Sequence, residues 1–230
     1  MTPGASLQGL PLEAARCVFE FAYSPALYVD PERLLALTPV SLEGVQAPAA
    51  QLSQAIAQTV GLPDLEGLDV AQPLHRVALL PRDLVHELAW WMGLRSASEA
   101  LRKVILHADL QTLAPHLQRT HWSWVFRPSG VSLPVFEVTD DAWSQPVSEW
   151  PARIRRNGWE AMLALCLGLP RSIGQRLWLK FPVQMPDVFA QARSAPDGMQ
   201  MQALKVNVEA AYEAAIGHVR PEWDAQWSLA

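Results

Sequence analysis

The sequence predicts an all-α protein, an irregular bundle of mostly short helices, with a minor extended piece at 135–138 left open. Three observations predict it. Apolar residues recur at helical spacing along most of the chain, as in Leu52, Ala55, Ile56, Thr59 and Val60. Nineteen prolines cut that pattern into short pieces. Helix punctuation also falls at the right places: Asp30-Pro31-Glu32 reads as an N-cap, a first-turn proline and an acid suited to the helix dipole, and Gly61 with Pro63 reads as a stop.

Between 81 and 107 the pattern predicts two helices. Leu84, Val85, Leu88, Trp91 and Met92 share one face, and Gly93 interrupts. Ser96 to Glu99 has capping-box spacing and starts a second helix with the stripe Ala97, Leu101, Val104, Ile105 and Ala108. So short a link predicts an antiparallel hairpin. A further segment spans 116–126. The stretch 127–146 holds Pro128, Gly130, Pro134 and Pro146 and loses helical signal. Ser148 then caps a helix to about Leu167 whose second half is apolar all round. The segment 176–181 alternates and fits either helix or strand. A last helix spans about 198–219, with Met201, Leu204, Val208, Ala211, Tyr212 and Ala215 inward, and Pro221 stops it. The expected organisation is an N-terminal helical part at 1–126, a connection at 127–147 and a C-terminal helical part at 148–230, forming one compact unit.

Composition excludes several function classes. Of 230 residues, half are hydrophobic and 18% charged, which is ample for a packed core. The net charge of −5 argues against general nucleic-acid binding, which needs a positive surface. The start carries no basic run followed by an apolar one, and the longest apolar stretch, 161–169, is far below a membrane span. The expectation is therefore a cytoplasmic protein without membrane insertion. Cys17 and Cys166 stand far apart and read as small hydrophobes.

Reaction chemistry is not encoded in any recognised motif. There is no G-x-S-x-G elbow and no glycine-rich phosphate loop. His86-Glu87 resembles the start of a metalloprotease motif, but Trp90 stands where the second histidine belongs. His107, His116 and His121 are the one histidine set, and their spacings of nine and five do not share a helix face. No catalytic residue, cofactor or metal is expected.

Binding features are more evident. Trp90 falls about 180° from the Val85/Leu88/Met92 face, among Asp83, His86 and Glu87, so another part of the chain or a partner must cover it. Trp122 and Trp124 end an aromatic run that is either core or contact surface. Arg153, Arg155 and Arg156, with Arg171, Arg176 and Lys180, oppose the single acid Glu160 across 151–180. That is either a solvated face or a docking patch for an acidic protein surface or acidic headgroups.

Four segments occur in order: the run from Phe19 to Leu34 with Pro25 and Tyr28, Leu79-Leu80-Pro81 before a helix ending Met92-Gly93-Leu94, the block Ala100 to Leu106 with Leu110, Leu113 and Leu117, and Gln175 to Pro182. Together they resemble the sorting-platform adaptor of type III secretion, the SctK/YscK/PscK family, whose opening the first run matches. The resemblance covers about 15–185. It implies a non-enzymatic adaptor at the cytoplasmic face of the inner membrane. Its implied partners are the pod protein and the cytoplasmic domains of the inner-membrane ring, with the stator and export ATPase reached indirectly. The isolated chain is expected to be monomeric. The alternatives are a secretion chaperone, which is usually a smaller acidic homodimer, and a small hydrolase or transferase with a dispersed site.

Overall fold

Helix starts fall where the local chemistry puts them. In the computed structural model, which describes residues 10–37, 48–104, 107–126, 143–187, 189, 196–219, 223 and 227, Asp30 Oδ1 accepts the N–H groups of Glu32 and Arg33 and caps the helix beginning at Pro31. Gly61 ends another helix in the left-handed conformation, φ 62°, and its N–H returns to the carbonyl of Gln58. The described elements, in order, are α1 (Leu12–Tyr23), α2 (Pro31–Leu37), α3 (Ala49–Val60), α4 (Pro73–Leu79), α5 (Arg82–Arg102), α6 (His107–Leu113), α7 (Arg119–Val125), α8 (Trp150–Gly168), α9 (Arg171–Trp178) and α10 (Gly198–Val219). The fold is all-α, and no strand occurs among the described residues. The piece expected at 135–138, residues 127–142 of the expected connection, Ile105 and Pro221 lie outside them.

Contacts divide the chain into two units. Unit 1 is Met1–His86, Cys166–Ala195 and Ile216–Ala230, and unit 2 is Glu87–Leu165 and Pro196–Ala215. The division falls inside α5, α8 and α10.

Unit 1 is organised around α9. Every residue from Ser172 to Phe181 is buried, so the alternation read at 176–181 carries no inside and outside. The segment is helix followed by a turn, with Lys180 and Phe181 N–H groups bonded three residues back. Arg176 and Lys180 are therefore not part of a solvated face: they are 5% and 2% exposed. Arg176 Nη1 donates to the carbonyls of Pro63 and Ser172, both at 2.8 Å, and Nη2 to that of Ala22 at 3.3 Å. Lys180 Nζ donates to the carbonyls of Ala78 and Leu80, both at 2.6 Å, and lies 5.2 Å and 5.0 Å from the ring centres of Phe21 and Tyr28. Arg33, also buried, stacks 3.9 Å over the Trp178 ring and donates to the carbonyls of Phe181, Pro182 and Met185. Three cations thus serve the carbonyl ends of α1, α4 and the α9 turn, where backbone acceptors otherwise lack partners.

Unit 2 is organised around the crossing of α5 and α8. A Cβ built on Gly93 would collide with the Ile154 carbonyl, and one built on Gly158 with the Ala89 carbonyl. The backbones approach as only glycine permits. This corrects the predicted hairpin: Gly93 is a packing contact within one continuous helix, not a break. Ser96 does not cap a second helix; its hydroxyl donates to the Gly93 carbonyl at 2.7 Å and accepts from Asn157 Nδ2 at 3.0 Å. The helix ends at Arg102, and Ala108 lies exposed in α6. Ser148 likewise sits inside a 3-10 turn, Val147–Glu149, and α8 begins at Trp150. The apolar half of α8, from Ala161 to Leu165, is buried throughout, and of the stripe predicted for α10, Leu204, Val208, Ala211, Tyr212 and Ala215 are buried while Met201 is half-buried.

Two outcomes are expected. Gly158→Ala should lower unfolding free energy by about 2 kcal/mol in chemical denaturation, whereas Gly198→Ala, which meets nothing within 4 Å, should change it little. Burial lowers the Lys180 ammonium from 10.5 to about 7, so between those values the unfolded chain binds the extra proton and stability should rise with pH. The cost is fully present below about 7 and relieved toward 10.5. The limiting slope of this one group is about 1.4 kcal/mol per pH unit, and Lys180→Met should remove it.

Candidate interaction surface on unit 2

Trp90, Trp122, Trp124, Arg153, Arg155 and Arg156 lie in unit 2, whereas Arg171, Arg176 and Lys180, read with those arginines as one basic stretch, lie in unit 1. Helix α5 supplies Trp90, α7 supplies Trp122 and Trp124, and α8 supplies Arg153, Arg155 and Arg156.

Trp90 is half-buried, on the side of α5 away from the Leu88/Met92 core face. The Arg155 guanidinium lies 5.7 Å over its ring centre, and the His121 ring meets it edge-on at 6.2 Å. Covering an indole with a guanidinium leaves the cation's outer edge able to donate to an incoming acid. Arg155 and Arg156 are exposed and Arg153 half-exposed. Arg156 is engaged by Glu160 one turn on, at 3.1 Å, and both side chains are well exposed, so this pair adds little stability. Arg153 lies 5.7 Å over Trp143 and donates to Gln145 at 3.3 Å. Trp143 in turn packs edge-on against the buried Trp150.

The two tryptophans of α7 part company. Trp124 is 5% exposed, packs edge-on against Trp91 at 5.6 Å and lies under Arg95. Burial lowers the Arg95 guanidinium from its ordinary value, with nearby Arg102 adding to the effect. Trp122 is half-buried and stacks on Phe126, itself 60% exposed. The structure therefore joins Trp90, Arg155 and His121 in one cluster and pairs Trp122 with Phe126. It places Trp124 in the core of the unit.

Sequence reasoning missed His121, which it set aside with the other histidines. His121 is buried, its Nδ1 accepts the Gln118 N–H at 3.0 Å, and its Nε2 lies 3.8 Å from Glu87 Oε1. The Glu87 carboxyl sits below its usual range because His121 and then the Trp91 indole N–H, at 2.7 Å, stabilise its charge. The detectable signal was its place three residues after Gln118, the spacing of a capping box.

Among the described residues, no group of three His, Cys, Asp or Glu is placed to hold a metal ion, and no helix is long and apolar enough to cross a membrane. Unit 1 holds a cavity of about 590 Å³ lined by Cys17, Glu20, Tyr28 and Lys180 among others. Burial pushes both the Cys17 thiol and the Tyr28 hydroxyl up, away from their nucleophilic forms, and the Lys180 ammonium is committed to two carbonyls.

A family model described as YOP proteins translocation protein K (YscK) matches residues 16–210. No curated protein and no solved structure matches the chain.

Trp124→Ala should cost about 3–5 kcal/mol in equilibrium unfolding, as for a core aromatic, while Trp122→Ala should cost well under half of that.

Proposed function

We propose, from the premise that this chain belongs to the YscK family and is a type III secretion protein, that it is a non-enzymatic adaptor of the secretion sorting platform. In this reading it works in the cytoplasm, peripheral to the inner membrane. It bridges the cytoplasmic domains of the inner-membrane ring to the pod protein, and through the latter reaches the stator and export ATPase. The observation that carries the reading is the family match over 16–210, which spans both units rather than one fragment.

The chemistry of unit 2 supports a docking role. Arginine and tryptophan are the side chains most enriched at energetic centres of protein interfaces. Unit 2 carries the exposed guanidinium groups of Arg155 and Arg156, the half-buried indole of Trp90 under Arg155, and the half-buried Trp122 stacked on Phe126, with Arg153 over Trp143 elsewhere on α8. A partner segment bearing carboxylates beside apolar residues suits it, because the acids meet arginine edges while the apolar groups cover Trp122 and Phe126. Trp124, buried beneath this surface, supports it from the core.

The test is capture of the pod and ring proteins from cells by the tagged chain. Trp90→Ala combined with Arg155→Glu should weaken capture of one of them about tenfold or more, with the far-UV circular dichroism spectrum unchanged. Wild-type chain that retains neither protein would overturn the adaptor reading. Retention of exported substrates instead, together with a dimeric mass by light scattering, would point to a chaperone.

A further inference from the structure

His121 stands where α5, α7 and the Arg155-covered indole of unit 2 come together, and its two ring nitrogens have different duties. Nδ1 accepts the backbone N–H of Gln118, the residue immediately before α7, at 3.0 Å. A ring nitrogen that accepts a hydrogen bond carries no proton, so the imidazole is neutral with its hydrogen on Nε2. Nε2 lies 3.8 Å from Glu87 Oε1, too far for a hydrogen bond but close enough for charge to matter. The ring also meets Trp90 and Trp91 edge-on, at 6.2 Å and 5.0 Å.

Imidazolium is a different object in this setting. Both nitrogens become donors, so Nδ1–H would face the Gln118 N–H and the reciprocal half of the α7 cap would be lost. The new charge would be drawn to Glu87 on α5. Among the described residues, the Arg155 guanidinium of α8 covers Trp90, which the imidazole meets edge-on, and Arg95 of α5 covers Trp124. A protonated ring can keep Nε2–H toward Glu87 but has no lone pair left for the Gln118 N–H, so the cap is the contact it gives up.

We infer that His121 is the positioning residue of the docking surface, holding the start of α7 in place while neutral and releasing it when protonated, which makes the surface proton-sensitive. Its functional meaning rests on the docking reading of unit 2. The device itself can be read without any partner.

The experiment is amide hydrogen exchange on the full chain at about pH 8 and about pH 5.5, corrected for intrinsic rates, across the range in which histidine changes charge. Wild type should lose roughly tenfold in protection at Gln118 and the first turn of α7 on acidification, the size of a lost cap. The 15N signals of His121 should show an unprotonated Nδ1 at the higher pH. His121→Gln can still accept the Gln118 N–H through its amide oxygen and should stay protected at both values, while His121→Ala should exchange fast at both. The inference is overturned if wild type and His121→Gln respond alike to acid, or if the proton sits on Nδ1 at the higher pH. Should the Ala variant not fold, the Gln comparison decides alone. Partner capture at the two pH values separates the two readings: an acid-released cap with unaltered capture would remove the docking role of α7 and leave the proton-sensitive cap standing.

Discussion

Unit 1 depends on three buried cations that face no buried carboxylate among their hydrogen-bond partners, only carbonyl oxygens. Arg33, Arg176 and Lys180 together engage the carbonyls of Ala22, Pro63, Ala78, Leu80, Ser172, Phe181, Pro182 and Met185. Helices this short end often, and each end strands backbone acceptors that water cannot reach in a core. A long cationic side chain can reach across a neighbouring element and satisfy two or three of them at once. The same end of the helix carries the negative pole of its dipole, so charge and hydrogen bonding act in one direction. Burial works against this by disfavouring the charged form, most strongly at Lys180, and the aromatic faces of Phe21 and Tyr28 offset part of that cost.

Unit 2 meets the packing problem in another way. Its long helices carry their own backbone bonds, so the constraint is how closely two of them approach. Gly93 and Gly158 each place bare Cα against a carbonyl of the facing helix, and that contact fixes where along α5 the arginine-bearing part of α8 lies. From it follow the seat of Arg155 over Trp90 and the hydrogen bond between Asn157 and Ser96. The seat of Arg155 over Trp90 is thus set by glycine contacts at the neighbouring residues, Ala89 and Ile154.

Three titratable side chains serve the fold itself: His121 caps α7, Cys166 is wholly buried, and Lys180 closes helix ends. The His121 cap ties the start of α7 to the Trp90 indole that Arg155 covers.

What the sequence by itself determined is local. The helix-start chemistry of Asp30-Pro31, the glycine stop at Gly61, the stripe of α10 and the buried half of α8 all follow from interactions within a turn or two of chain. The all-α class follows from them, and the order of motifs resembled the YscK family that the match over 16–210 then established. Only the tertiary structure decided the rest. Gly93 reads as a break until Ile154 is seen against it. Arg176 and Lys180 read as surface charges until distant carbonyls are seen to receive them, and Trp124 and Trp122 look alike until one is packed under Arg95 and the other beside Phe126. For Gly93, Arg176, Lys180 and Trp124 a deciding partner lies far away in sequence. Residue type and spacing encode which bonds a side chain is able to make, and packing alone selects which of them it does make.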